Sequence, residues 1–287
     1  MSASEGHPFS INLACTGAIP TRLNSPYVPL THAEIIDEVG ACLEMGVQMF
    51  HLHARDAAGR QSSDPERYGR LIESIRALPG GRSAILCVTT SGRFEAGFEA
   101  RAGVLGLEGD MKPDMASLTL SSLNFAQSES VNAPDTIRRL AARMRERGIR
   151  PELEVFDLGM ANFGKVLIRE GLIDAPVYIN VLLGNIAGAQ CDAVSAGCLM
   201  SALPEGAHVA MAGLGRQQLS ANLYGLLFAD GVRVGLEDNV WFDAARAVPA
   251  TNREMVMRIK RMAAELERPL WGVDALRRRL GLCAVAA

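Results

Sequence analysis

The feature that most constrains this chain is an eightfold alternation. Apolar runs of strand length lie at 9–16, 48–54, 84–90, 115–121, 152–157, 177–183, 208–213 and 232–237. Between them lie stretches with apolar residues three and four apart, at 65–78, 134–147, 160–170, 191–203, 217–228 and 252–266, the spacing of helices that bury one face. Another opens at Thr31-His-Ala-Glu34, where threonine followed three residues later by glutamate predicts a capping box. Pro65 and Pro134 stand where a first helical turn tolerates proline, and Gly46, Gly148 and Gly171 punctuate helix ends. Strands that alternate with helices imply a mostly parallel sheet. No Ser/Pro-rich linker or low-complexity tract interrupts the pattern, so residues 1–287 are expected to form one domain. Eight βα units in one domain predict α/β architecture of the (β/α)8 TIM barrel type. A doubly wound open sheet is the alternative, but it usually shows a Gly-rich dinucleotide turn after its first strand. Here that turn reads Thr16-Gly17-Ala18-Ile19-Pro20, which is not one.

Composition narrows the class. Apolar residues make up 48% of 287, ample for a core, and the net charge of −3 comes from mixed acidic and basic residues. Nothing therefore argues for nucleic acid or an anionic membrane as partner. There is no apolar run long enough for a transmembrane helix. The start, residues 1–7, lacks the basic and apolar regions of a signal peptide, so a cytoplasmic location is expected. The six cysteines are scattered and form no CxxC pair, which reads as reduced, mostly buried thiols.

The chemistry concentrates in Met49-Phe50-His51-Leu52-His53-Ala54-Arg55-Asp56. Successive side chains on a strand point to opposite faces. His51 and His53 therefore share one face and Phe50 and Leu52 the other. Two imidazoles side by side at a strand's C-terminal end suit a divalent metal, most often zinc. The same parity groups Asn12 with Ala14 and Thr16, Cys87 with Thr89 and Ser91, Ser117 with Thr119 and Ser121, Glu152 with Glu154, and Arg233 with Glu237. Strands packed on both faces should be nearly all apolar. Charges on an inner face imply a solvated or ligand-filled upper barrel, since an unpaired buried charge costs several kcal/mol. Internal salt bridges, for example Arg233 with Glu154, are the plainer explanation. A two-histidine site needs a third ligand, commonly a carboxylate. Glu237 is the first choice, with Asp238 beside it free for proton transfer, and Glu154 is the competitor. Gly215 and Arg216, which open a helix after the seventh strand, offer a weak anion-site signal. No phosphate loop or nucleophile elbow is present.

Taken in order, several segments make a specific set: Thr16-Gly17-Ala18, His51-Leu-His53-Ala-Arg55-Asp56, Pro113-Asp-Met-Ala-Ser117-Leu, Leu123-Asn124-Phe125, Pro151-Glu-Leu-Glu154-Val-Phe-Asp157, Gly213-Leu-Gly215-Arg216 and Arg233-Val-Gly-Leu-Glu237-Asp238-Asn239. Over nearly its whole length the chain resembles the β-keto acid cleavage enzymes. That resemblance implies a zinc-dependent (β/α)8 barrel, typically a homotetramer, that condenses a β-keto acid with acetyl-CoA to give acetoacetate and a new acyl-CoA. It implies His51, His53 and Glu237 as metal ligands and Asp238 as the base that takes a proton from C2 of the acid. Arg233 would hold Asp238 and the substrate charge, and Glu154 matches a family glutamate near the base. Thr89 falls where the family has a serine and Ser117 where it has a threonine; with Thr119 these hydroxyls are expected to bind the substrate. Arg93, Arg216 and Gly215 are expected on the CoA side.

One departure concerns substrate choice. Members that cleave 3-keto-5-aminohexanoate have a glutamate, suited to an ammonium group, where this chain has Ile19. An apolar side chain cannot pair that charge, so a neutral or apolar tail is expected. Two other readings remain at this stage. One is a zinc hydrolase of the amidohydrolase type, although the only later histidine, His208, sits at the start of the seventh strand. The other is a barrel without activity that serves as a scaffold.

Overall fold

The computed structural model describes residues 7–283; the stretch 1–6, which carries most of the segment read for a signal peptide, lies outside the described residues. The eight expected strands close into a parallel barrel. They are β1 (Ser10–Ala14), β2 (Met49–Leu52), β3 (Ile85–Val88), β4 (Met115–Thr119), β7 (Arg150–Val155), β8 (Tyr178–Leu183), β9 (His208–Gly213) and β10 (Gly231–Val234), with β10 returning to β1. A two-stranded hairpin, β5 (Leu123–Asn124) and β6 (Glu129–Ser130), stands in the loop after β4. The helices are α1 (His32–Glu44), α2 (Pro65–Arg76), α3 (Phe98–Ala102), α4 (Pro134–Glu146), α5 (Leu158–Arg169), α6 (Ala193–Ala202), α7 (Gln218–Phe228), α8 (Asn252–Glu265) and α9 (Val273–Arg279). None of them is long and apolar enough to cross a membrane.

Local chemistry sets the helix boundaries. The Thr31–Glu34 capping box forms in full, and Thr251 with Glu254 repeats it on α8. Pro65 and Pro134 open α2 and α4. Gly46, Gly148 and Gly171 take φ of 85, 61 and 70° just beyond helix ends. Asp157, assigned to the fifth strand from sequence, instead caps α5 by accepting from Met160 N at 2.8 Å.

The period of two along each strand sorts the core into two layers. Phe50, Leu52, Leu86, Val88, Leu118 and Leu153 belong to the large apolar cluster between strands and helices. The opposite parity fills the barrel. At its lower end Met49, Ile85, Cys87, Met115, Tyr178 and Ala210 pack together, and Leu276 and Leu280 of α9 close the bottom over them. Arg277 of α9 ties the plug down through Asp114 at 2.7 Å. Higher up, the inward positions turn polar at His51, Glu152, Glu154, Asn180 and Arg233. The strands end earlier than the apolar runs suggest. His53, Thr89 and Glu237 lie beyond the last paired residues, in βα loops.

Of the cysteines, Cys15, Cys42 and Cys87 are buried, Cys191 is half-buried, and Cys198 and Cys283 are exposed.

Candidate active site

At the C-terminal ends of the strands two imidazoles face each other. His51 Nε2 and His53 Nε2 lie 3.2 Å apart. Each ring is held from behind by its other nitrogen. His51 Nδ1 is 2.6 Å from Glu152 Oε2, and His53 Nδ1 is 2.9 Å from Gln61 Oε1. Both partners are acceptors, so each Nδ1 donates and each Nε2 presents its lone pair to the other. Two lone pairs at that distance repel unless a cation or a proton lies between them. Glu237 completes the group, with Oε1 at 3.3 Å from His53 Nε2 and Oε2 at 4.0 Å from His51 Nε2. Glu237 Oε2 is buried and has no hydrogen-bond partner among the described residues. A tetrahedral ion bound 2.0–2.1 Å from each nitrogen would set neighbouring ligand atoms about 3.3 Å apart. The three side chains therefore fit a divalent metal in spacing and donor type.

Glu237 arrives by a different route from the one strand parity suggests. β10 ends at Val234, and Gly235, at φ 143° and against the Ala14 carbonyl, breaks the strand. Glu237 N then bonds back to Ala14 O at 3.1 Å. Gly17, at φ 72°, makes room for the carboxylate: a Cβ there would sit 2.6 Å from Glu237 Cγ.

Arg233, in β10, is buried at the hub of three carboxylates. Its Nε and Nη2 reach Asp238 Oδ2 and Oδ1 at 3.0 and 3.2 Å, Nη2 also reaches Glu237 Oε1 at 2.9 Å, and Nη1 reaches Glu154 Oε1 at 3.5 Å. The internal Arg233–Glu154 pair anticipated from sequence thus exists, alongside the histidine cluster. Glu154 is occupied by Arg233 and by Thr119 Oγ1, which donates at 2.6 Å, and it stands outside the histidine group. Burial raises the pKa of Asp238 and of Glu154, and Arg233 offsets this only in part. Burial acts the same way on Glu237, but His53, Arg233 and His51 outweigh it and hold that carboxyl well below its usual range.

Beneath the histidines Glu152 organises the barrel interior. Its Oε1 accepts from Asn12 Nδ2 at 2.5 Å and Asn180 Nδ2 at 2.6 Å; its Oε2 takes His51 Nδ1 and Cys87 Sγ, the latter at 3.1 Å. Burial disfavours this charge, but His51 and its hydrogen bond outweigh burial and hold Glu152 at about 2. For His51, burial lowers the pKa while Glu152 and Glu237 overcome it and raise it to about 9. His51, Cys87 and Glu152 also lie close enough to share an ion. That group is fully hydrogen-bonded, however, and burial and Glu152 push the Cys87 thiol well up, so it stays protonated and donates.

A cavity of about 210 Å³ opens above. It is lined by His51, His53, Glu237, Asp238, Arg233 and Glu154, and by Thr89, Thr119, Ile19 and Arg93. Ser117 is not among the lining residues: its Oγ accepts from Thr90 N at 3.2 Å, between the ends of β3 and β4. Arg216 stands outside, in a separate cleft with Asn239, Trp241 and Arg258. Gly215 N donates to the Asp238 carbonyl at 2.7 Å and so steadies that residue's backbone. His208 lies at the opposite end of the barrel, 2.8 Å from Ser10 Oγ. Sequence reasoning placed Glu152 on the right face without a role, and it missed Gln61. The loop after β2 brings Gln61 back through an Arg55–Gln61 bridge, with Asp56 and Arg60 closing the turn. No local pattern announces that return.

Fold and site together define a class: a (β/α)8 barrel with two histidines and a carboxylate converging at the C-terminal ends of its strands. A family model described as beta-keto acid cleavage enzyme matches residues 8–282, and the chain belongs to that family. The 3-oxoadipate:acetyl-CoA acetyltransferase of Cupriavidus necator is 35% identical over 279 residues, 96% of this chain and 95% of that one. The 3-keto-5-aminohexanoate cleavage enzyme of Fusobacterium nucleatum is 32% identical over 278 residues, 95% and 97% of the two chains. The 3-dehydrocarnitine:acetyl-CoA trimethylamine transferase of Rhizobium meliloti is 28% identical over 302 residues, covering 98% and 99%. Among solved structures, apo ObcA superposes with a TM-score of 0.76 at 21% identity over 90% of this chain and 66% of that one, a likeness of fold. Family membership replaces the hydrolase alternative.

Proposed function

We propose that this chain, as one catalytic domain, converts a β-keto acid and acetyl-CoA into acetoacetate and a new acyl-CoA. The observation that carries the reading is the pair of converging Nε2 atoms beside Glu237, opening onto a cavity in which Arg233 clamps Asp238. The names of the similar proteins support it, since two of the three pair acetyl-CoA with a keto acid or its derivative.

His51, His53 and Glu237 would hold a divalent ion, zinc by donor type. Bound there, it would supply Lewis-acid polarisation of the acid's keto and carboxylate oxygens, which makes the C2 proton more acidic. Asp238 takes that proton. Its raised pKa makes it a stronger base than an ordinary aspartate, and its two contacts with Arg233 fix its direction. The C2 carbanion attacks the acetyl carbonyl, a C–C bond forms and the CoA thiolate leaves. The thiolate then adds to the former keto carbon, and the bond between that carbon and C2 breaks. C2 leaves with the acetyl group as the acetoacetate carbanion, Asp238 returns its proton to C2 to give acetoacetate, and the remainder leaves as acyl-CoA. Arg233 faces the growing negative charge throughout. Thr89 and Thr119 offer hydroxyls to the substrate from the cavity wall. Gly215 and Arg216 belong to the CoA side, Gly215 through the backbone of Asp238 and Arg216 through the adjoining cleft.

Every carboxylate lining the cavity is engaged at the Arg233 hub, and Ile19 adds an apolar side chain to the lining. A cationic tail would find no counter-ion there.

The test is acetoacetate formation from acetyl-CoA over β-keto acids with cationic, neutral and anionic tails, in zinc-loaded protein and Asp238→Asn. Activity in the first, reduced at least about a hundredfold in the second at equal zinc content, is expected. Zinc-loaded protein that is inactive on every acid would overturn the reading.

A further inference from the structure

We propose that Arg93 is the anion subsite of this cavity and takes the distal carboxylate of a dicarboxylic β-keto acid. The inference rests on the proposed reaction and narrows its substrate. The expectation of a neutral or apolar tail came from Ile19 alone; the fold brings a cation to the same cavity.

Two arginines line the cavity, and they differ in what surrounds them. Arg233 is matched by three carboxylates. Arg93 is half-buried, and among the described residues no carboxylate pairs with it. Among the described residues the one hydrogen bond of its guanidinium runs from Nε to Ser128 Oγ, at 3.1 Å. Its guanidinium lies over the Phe125 ring, 4.0 Å from the centroid. These two contacts fix the plane of the group and leave both Nη nitrogens without partners among the described residues. A guanidinium held this way presents the fork that matches a carboxylate with two parallel hydrogen bonds. Removing it partly from water without an anion is costly, and a ligand's carboxylate would offset that cost.

The supports come from one element. The β5–β6 hairpin carries Phe125 and Ser128 in its turn, and Phe125 N bonds to Ser128 O at 2.8 Å to close it. Phe156, edge-on at 6.1 Å, backs the Phe125 ring. Apart from the histidines, the Arg233 hub and Arg93 itself, the cavity lining is apolar or hydroxylic, including Ile19, Leu123, Phe156, Ser91 and Ser130. That lining suits a short methylene chain joining a keto acid head at the histidines to a carboxylate at Arg93.

A CoA phosphate offers the same anionic chemistry, so the experiment separates the two sources. Adipate and hexanoate are titrated calorimetrically into zinc-loaded wild type, Arg93→Gln and Arg93→Lys. Turnover is measured as the ratio of kcat/KM for 3-oxoadipate over 3-oxohexanoate, together with KM for acetyl-CoA. Wild type is expected to prefer adipate by about thirtyfold or more. Arg93→Gln abolishes the preference, and Arg93→Lys keeps part of it. The turnover ratio falls in parallel while KM for acetyl-CoA holds. Equal binding of the two acids by wild type overturns the proposal. So does an Arg93→Gln protein whose acid preference survives while KM for acetyl-CoA rises, which assigns Arg93 to CoA. If no acid turns over, the proposed reaction fails, and the adipate titration still reads the subsite.

Discussion

At the scale of single residues, the site depends on groups that touch no substrate. Glu152 sits below His51 and satisfies it, along with Asn12, Asn180 and Cys87. Ligand histidines are generally oriented by an acceptor on the second nitrogen, and loss of that acceptor weakens metal binding by about 10- to 100-fold. Glu152→Gln keeps the volume but puts an amide NH₂ against at least one existing donor. If it faces His51 Nδ1, that ring moves its proton to Nε2 and the lone pair aimed at His53 is lost. Competition titration with a zinc indicator should show affinity weakened by that factor, in protein that remains folded. Unchanged affinity would reduce Glu152 to a packing residue. This part of the site was half legible: Glu152 and Glu154 alternate with Leu153 and Val155, so both point inward. Which of them meets a histidine depends on register with β8 and β4, across strands far apart in sequence.

At the scale of elements, barrel strands and helix caps follow from periodicity and local hydrogen bonding, and sequence shows both. The loops that complete the site follow from neither. Strand parity put Arg233 and Glu237 on one face, yet β10 stops short, and a turn at Gly235 rather than pleat geometry delivers Glu237. The hairpin that carries Phe125 and Ser128 pairs two residues per strand, too few for an apolar pattern to mark. Gly17 is the most exacting loop position. It combines φ 72° with a missing Cβ that would overlap Glu237 Cγ, Cβ and Cα at 2.6 to 2.9 Å, and its carbonyl also accepts from Arg55. Gly17→Ala should cost roughly 1–2 kcal/mol for the left-handed backbone alone and displace Glu237 from the histidines. Thermal denaturation should show the loss of stability, and zinc titration a weaker site, with far-UV circular dichroism unchanged. Wild-type zinc affinity in the alanine variant would show that the loop yields without moving Glu237.

At the scale of the whole molecule, the barrel separates chemistry at the C-terminal ends of its strands from stability at the N-terminal ends, as this architecture generally does. His208 tests that separation. It starts β9 at the bottom, fully buried, stacked on Tyr178 with ring centroids 5.7 Å apart and bonded to Ser10 Oγ. Burial lowers its pKa from 6.5 to about 4; Asp230 opposes the shift, while Arg279, His7 and Arg268 add to it. The native state therefore holds this imidazole neutral where the unfolded chain would protonate it. Between about pH 6.5 and pH 4 the unfolded state binds the extra proton, so stability falls as pH falls through that window. Above it the contribution is fully present. At 1.36 kcal/mol per pKa unit the loss by pH 4 is about 3 kcal/mol. In His208→Gln, which cannot titrate, denaturant midpoints at pH 7 and pH 4.5 should lie closer together than in wild type. Both proteins should be measured without metal, so that the upper barrel contributes equally to each. An unchanged pH dependence in the variant would place the acid sensitivity at the carboxylates of the upper barrel, Glu152 and Glu237, which are held below their usual range, and the two ends would not be separate after all.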